Sequence, residues 1–200
     1  MSKYVRVIKL GGSLLDWPGL RDALHTWRAK QATAVDVLVV GGGHAADWIR
    51  DADRVHGLGN DAAHRLAIQA MQLNAQLAET LWPDALSLTR LDAVRDRTLL
   101  PGLLALQAWP ALSDAEQSRF GQPLPHSWNV TSDSIAAWVS GAVNADELVL
   151  LKSSLPPHET IAQCAVAEYI DRYFPALAVA IPLIRAVDLR SPDYDEQMLR

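Results

Sequence analysis

Residues 7–15 read VIKLGGSLL and residues 37–50 read VLVVGGGHAADWIR. Each is an apolar, largely β-branched run that stops at glycines and continues into residues with helical spacing. Such a run reads as a buried strand, here residues 4–10 and 35–40. Gly11, Gly12 and Ser13 make the first turn; Gly41, Gly42 and Gly43 make the second. Helices are expected over residues 14–29, with Pro18 near the first turn of the main helix, and over residues 44–55. Two consecutive strand–turn–helix units imply a mainly parallel sheet covered by helices on both faces, an α/β fold in three layers, α/β/α.

Outward from these units the pattern continues. Residues 62–80, AAHRLAIQAMQLNAQLAET, contain no glycine or proline and predict a well-packed helix. Prolines and a glycine break residues 81–125 into short apolar pieces with loosely placed elements. A helix over residues 132–140, capped by Thr131 or Ser132, precedes a buried strand at 147–151 that leads into Lys152. A helix at about 160–173 and a strand at about 178–186 complete the expected order.

The chain has 200 residues, half of them hydrophobic, and a formal net charge of -5. That length suits one domain with one sizeable core. The acidic balance gives no drive toward nucleic acid or an anionic membrane, so an anionic ligand has to be captured locally. One cysteine, Cys164, allows no internal disulfide, and its place on an apolar helical face predicts a buried, inert thiol. No stretch reads as an export signal or a membrane span, and cytoplasmic residence is expected.

Both glycine turns lie at the carboxyl end of a strand and open a helix. Bare backbone N–H groups and the positive end of the helix dipole there suit a phosphate or carboxylate, at the edge where open α/β sheets bind ligands. Neither turn is a Walker A loop, since Lys9 precedes its glycines, and GGGHAA is not a dinucleotide fingerprint. Lys9, in an apolar strand, either pairs with an anion or points from an edge into solvent. Asp133 could likewise serve only the helix dipole. His44, His56 and His64 with Asp47, Asp51 and Asp53 match no metal-ligand spacing, so no metal site is expected. The seven tryptophans read as core and interface anchors.

Taken together, VIKLGGSLL, VLVVGGGHAADWIR and NVTSDSIAAWVSGAVNADELVLLKSS (residues 129–154) resemble the amino acid kinase family in order and separation. The resemblance implies that Gly11, Gly12 and Ser13 approach the phosphates of ATP, used with Mg²⁺, and that Lys9 neutralises the transferring group. It implies that Gly41, Gly42 and Gly43 hold the acceptor, with His44, His64, Asn129 and Ser132 as further acceptor contacts, and that Asp133 orients the lysines. Lys152 would be a second cation on the nucleotide side, although KSSLPPH replaces the turn usual in the family. The expected division is an acceptor and phosphate lobe at about 1–145 and a shortened nucleotide lobe at about 146–200, because the 48 residues after Lys152 contain no glycine.

Residues 57–81, GLGNDAAHRLAIQAMQLNAQLAETL, further resemble the small kinases of methanofuran-type cofactor synthesis. That resemblance implies a small, already phosphorylated acceptor carrying a protonated amine, such as aminomethylfuran-methyl phosphate, with His64, Gln69 and Asn74 on one wall of its site. The expected partners are this acceptor and further copies of the chain in a homo-oligomer, with no nucleic acid and no membrane. A catalytically silent binding or regulatory subunit is the alternative, and a Rossmann-type nucleotide binder is disfavoured by the missing fingerprint.

Overall fold

The computed structural model describes residues 3–200. Seven strands form one sheet in the order β3-β4-β2-β1-β5-β6-β7. They are β1 (Val5–Leu10), β2 (Val35–Val40), β3 (Leu86–Leu88), β4 (Gly102–Leu106), β5 (Glu147–Lys152), β6 (Ile184–Asp188) and β7 (Glu196–Met198). All neighbours run parallel except β6 and β7. The helices are α1 (Leu20–Ala29), α2 (Gly43–His56), α3 (Asn60–Leu81), α4 (Asp92–Arg95), α5 (Ala108–Ala111), α6 (Asp114–Gln117), α7 (Ser132–Ala142), α8 (Ile161–Val166) and α9 (Phe174–Ala178).

Every residue of β1 and β2 is buried, because helices cover both faces of the sheet. One face packs Val5, Val7 and Leu150 against Ile68 and Met71 of α3, most of α7, and Phe174. The other packs Ile8, Leu10 and Val149 against Leu20, Leu24 and Trp27 of α1 and Ala78 at the far end of α3. Two cores on opposite faces make the three layers that the paired glycine units predict. Trp27, Trp82 and Trp138 are core residues, whereas Trp48 and Trp109 are exposed. Cys164 is fully buried, as its helical position predicts. No helix among the described residues is long and apolar enough to cross a membrane.

Three elements differ from expectation. The helix expected over 14–29 begins only at Leu20; before it, Gly12–Leu14 form a single 3₁₀ turn and the chain bends through Trp17, Pro18 and Gly19. Proline disfavours a helical conformation at the residue before it, and the Trp17 indole lies where a side chain on Gly19 would stand. The helix expected at 160–173 stops at Val166, and Glu168 turns into the left-handed region with φ of 57°. That break brings Asp171 back to the start of α7. The last parallel strand runs Ile184–Asp188, later than the expected 178–186, because α9 occupies Phe174–Ala178 and Pro182 follows it. The helix at 132 extends to Ala142, and Thr131 is its cap.

At the amino-terminal edge of the sheet the buried charges form an alternating chain. Arg28 meets Asp36 at 2.8 Å, Asp36 meets Arg6 at 2.9 Å, Arg6 meets Glu147 at 2.8 Å and Glu147 meets Arg185 at 2.7 Å. Arg185 also reaches Glu196 of β7. Three cations and three carboxylates thus tie β2, β1, β5, β6 and β7 in register, and each buried charge has an opposite neighbour.

Candidate active site

The two glycine turns meet at the opposite, carboxyl-terminal edge. The Gly11 N–H donates to the Leu151 carbonyl at 2.9 Å, and the Gly41 N–H donates to the Leu10 carbonyl at 2.9 Å. Each loop is therefore stitched to the end of the neighbouring strand. The loops also touch one another: a Cβ on Gly12 would lie 2.5 Å from the Gly43 nitrogen and 2.6 Å from its Cα. Gly43 itself has φ of +52°, which favours glycine. No side chain fits between the loops, so groups bound on the two loops would be held as neighbours.

Beside the loops, Asp133 in the first turn of α7 receives two ammonium groups. Lys9 Nζ lies 2.8 Å from Asp133 Oδ1, and Lys152 Nζ lies 3.1 Å from Asp133 Oδ2. Lys152 also meets the Tyr169 carbonyl and sits 4.3 Å from the centre of its ring. The Lys9 contact is an ion pair by distance without hydrogen-bond alignment, so Oδ1 has a compensating charge but no aimed donor. Burial opposes ionisation of Asp133, yet the two lysines override it and hold the carboxyl below the usual carboxylate range. Burial, then the like charge of Lys9, pushes the Lys152 ammonium down to about 8 against the pull of Asp133. Two ammonium groups thus share one carboxylate, with Asp171 also acting on Lys152, and Lys9 and Asp133 are each almost wholly out of water.

The start of α7 is held by a residue that the sequence reading missed. Asp171 accepts hydrogen bonds from the Thr131 N–H at 2.9 Å, the Thr131 hydroxyl at 2.8 Å and the Ser134 N–H at 2.9 Å, and from the Ser134 hydroxyl. It also accepts from the N–H groups of Tyr173 and Phe174. A carboxylate at a helix N-terminus opposes the exposed donors and the dipole, and here it fixes the turn that carries Asp133. Its signal was hidden because residues 160–173 resemble a continuous helix.

A cavity of about 260 Å³ opens beside the loops, with Gly12, Ser13, Gly42, Gly43, His64, Ser132 and Ile135 on its wall. Arg50 and Trp128 also line it, the guanidinium lying 4.7 Å from the centre of a Trp128 ring whose N–H donates to Asp53 at 2.8 Å. Among the described residues Arg50 is the one lysine or arginine on that wall. Neither residue was singled out from sequence, although Arg50 ends the quoted second motif.

Of the expected acceptor contacts, Gly42, Gly43, His64 and Ser132 are on this wall, while Gly41 is buried behind it. His44 is exposed and turns to Asp16 at 2.9 Å, and Gln69 and Asn129 are also exposed, away from the wall. Asn74 is buried and donates to the Gly41 carbonyl at 2.7 Å, bracing the loop from behind. His64 stacks on His126 with ring centres 4.2 Å apart. Burial, reinforced by His126, pushes His64 down to about 4, so it faces the cavity as a neutral imidazole near pH 7. Among the described residues no group of three or more His, Cys, Asp or Glu is arranged to hold a metal ion.

Residues 5–154 match the amino acid kinase family, and the chain belongs to that family. Over 154 residues it is 29% identical to the [5-(aminomethyl)furan-3-yl]methyl phosphate kinase of Methanocaldococcus jannaschii, a match that covers 73% of this chain and 64% of that protein. The chain thus spans slightly less than two thirds of the length of that relative. Among solved structures, the UMP kinase of Ureaplasma parvum superposes with a TM-score of 0.69 at 14% identity, covering 100% of this chain and 97% of that one. The uridylate kinase of Archaeoglobus fulgidus gives 0.63 at 16% identity over 91% and 89% of the two chains. At such identities these two likenesses concern the fold.

Proposed function

We propose that this chain is an ATP-dependent phosphotransferase whose acceptor is a small phosphorylated molecule, with aminomethylfuran-methyl phosphate as the leading candidate. The observation that carries the reading is the buried Lys9–Asp133–Lys152 cluster, in which two ammonium groups share one carboxylate, beside two glycine loops in backbone contact. Uncompensated buried charge is costly, and an incoming anion would relieve it. In this reading the first loop and Lys152 hold the donor phosphates, the second loop holds the acceptor, and Lys9 faces the transferring group.

The reaction joins an acceptor phosphate oxygen to the γ-phosphorus as the bridging bond to ADP breaks and its electron pair leaves on the β-phosphate oxygen. A phosphate monoester has its second pKa near ~6 and is already ionised at neutral pH, so no side chain has to remove a proton. Asp133 fits that requirement. Its carboxyl stays ionised and directs both oxygens at lysines, which makes it a holder of cations rather than a base. Catalysis would then come from in-line positioning and from charge set in place before the reaction.

Mg²⁺ brought with ATP would offset phosphate charge, and the protein need not cage it, since this ion is commonly held through substrate phosphates and water. Arg50, braced on Trp128, is the cation available to the anionic end of the acceptor, and the apolar wall of Ile68, Met71 and Ile135 suits a small ring. In keeping with this division, residues from about 146 onward supply the donor side.

The relative from M. jannaschii, a [5-(aminomethyl)furan-3-yl]methyl phosphate kinase, motivates the acceptor choice. The test measures ATP consumption with aminomethylfuran-methyl phosphate, acetylglutamate, aspartate, uridylate, carbamate and isopentenyl phosphate. Preference for the first supports the full reading. Preference for any other replaces the acceptor and keeps the phosphotransferase, while no turnover and no nucleotide-dependent thermal shift would make the chain a silent subunit.

A further inference from the structure

Strand β6 ends beside Lys152: Asp188 is in register with Lys152, and the Leu189 N–H donates to the Lys152 carbonyl at 3.0 Å. The turn that follows carries Arg190. Its Nη2 donates to the Ser13 carbonyl at 3.0 Å, a contact between residues 177 positions apart, so the side chain reaches from the β6–β7 turn to the first glycine loop. The Trp17 ring lies 5.8 Å from the guanidinium carbon. The base of the side chain is fixed as well, because Asp188 Oδ1 accepts from the Arg190 N–H at 2.9 Å and the Ser191 hydroxyl donates to Asp195 at 2.6 Å across the turn.

We propose that Arg190 is a donor-binding residue that clamps the non-transferred phosphates of a nucleoside di- or triphosphate against the first glycine loop. The inference rests on the phosphotransferase reading and adds to it a residue outside the 5–154 match to the family.

Position, spare valence and charge all favour this role. Arg190 uses one of its five N–H donors on Ser13, and among the described residues no carboxylate pairs with its guanidinium. Arg54, Arg90, Arg97 and Arg119 each pair with an acid, so their charges are already answered. The planar fork of Arg190 therefore remains available at the edge that also carries Lys9 and Lys152. A nucleoside triphosphate carries several negative charges over three phosphorus centres, more than two buried ammonium groups beside Asp133 can answer. A flat guanidinium grips two phosphate oxygens at once, while a compact ammonium suits the crowded transferring group. Arg190 thus answers the phosphates that stay with the nucleotide, and it should affect donor binding similarly in the ground and transition states.

The test compares wild type, Arg190→Ala and Arg190→Lys. Arg190→Ala is expected to raise the KM for MgATP about tenfold with kcat within about threefold and the acceptor KM unchanged, and Arg190→Lys to recover part of the loss. Thermal shift with ADP, pyrophosphate and adenosine reads the same contact without turnover. The variant should lose stabilisation by ADP and pyrophosphate and keep that by adenosine, and its melting temperature without ligand should match wild type. An unchanged KM for MgATP, equal rises in both KM values, or equal losses for ADP and adenosine would each overturn the proposal. A wild type that binds pyrophosphate through Arg190 yet turns over no acceptor would defeat the kinase reading and leave this one standing; a wild type deaf to pyrophosphate would defeat the phosphate clamp itself.

Discussion

Strand β1 carries a buried cation near each end, and the two have opposite surroundings. Arg6 lies in the amino-terminal chain of three cations and three carboxylates, where its Nε reaches Glu147, its Nη1 reaches Asp36 and its Nη2 donates to the Ala32 carbonyl at 3.0 Å. Lys9, three residues on, shares Asp133 with Lys152. The first cluster is closed: adding or removing a charge would unbalance it. The second gives two ammonium groups one shared carboxylate and lies where the glycine loops meet. In the proposed reading, buried ionic groups serve register at one edge of the sheet and ligand capture at the other, although both are similarly buried.

The sharpest way to break this comparison is Lys9→Ala. Turnover should fall by a factor on the order of 10³ or more while the melting temperature changes little, because the remaining Lys152–Asp133 pair is neutral. Near-normal kcat in the variant would remove Lys9 from the mechanism. Lys9→Arg should fail almost as badly, since a planar fork does not replace a compact ammonium at a crowded phosphate.

The mirror experiment is Arg6→Ala. It strands Asp36 and Glu147 with one cation fewer and should cost about 3–5 kcal/mol of stability, read by urea denaturation. If any protein remains folded at the assay temperature, its KM values should be near those of wild type. A loss of activity without a loss of stability would erase the distinction between the two edges.

A third experiment uses pH. The Lys152 ammonium titrates at about 8 in the folded chain, against 10.5 for the ordinary side chain. Between those values the unfolded chain binds more protons than the folded one, so the Lys152 contribution to stability rises with pH across this window. Activity should move the other way, because deprotonation removes a donor-side charge and produces a basic limb near 8. Lys152→Arg should abolish that limb and flatten the stability gain. A wild-type rate that stays flat to pH 10 would show that the Lys152 charge has no role in turnover.

The mildest effect is expected at Arg50, which is half exposed and paired with Asp47 at 3.0 Å. Arg50→Ala should raise the acceptor KM several-fold to tenfold and leave the KM for MgATP unchanged, the converse of the split expected at Arg190. If the two variants affected the same substrate, the division between acceptor and donor sides would be misdrawn.

Much of the site was legible because its signals are local. Glycines that end an apolar strand have a short-range cause, and the two glycine turns were readable on that basis; for Lys9 and Asp133 the local signals left a structural reading open, and the family resemblance supplied the functional one. Gly12 and Gly43 gained a meaning that neither loop shows alone, since the contact of 2.5 Å for a hypothetical Cβ exists only when β1 and β2 are paired. His44 had the right position for a loop donor but turned to Asp16, and Asn74 turned to the back of the second loop rather than to the cavity. A helix position specifies a face, and neighbours decide what that face meets.

The sequence by itself determined the α/β class, the two glycine turns and the parallel strands, because backbone sterics and hydrophobic periodicity act within a few residues, whereas Lys9, Asp133 and Lys152 were singled out by the family resemblance. Tertiary structure alone decided that Lys9 and Lys152 share one carboxylate, that Asp171 leaves an expected helix to cap α7, and that Arg190 reaches Ser13. Those contacts join residues between 19 and 177 positions apart. Their physical cause is the strand order of the sheet, which brings the ends of β1, β5 and β6 side by side and lets charges that are remote along the chain act on one another.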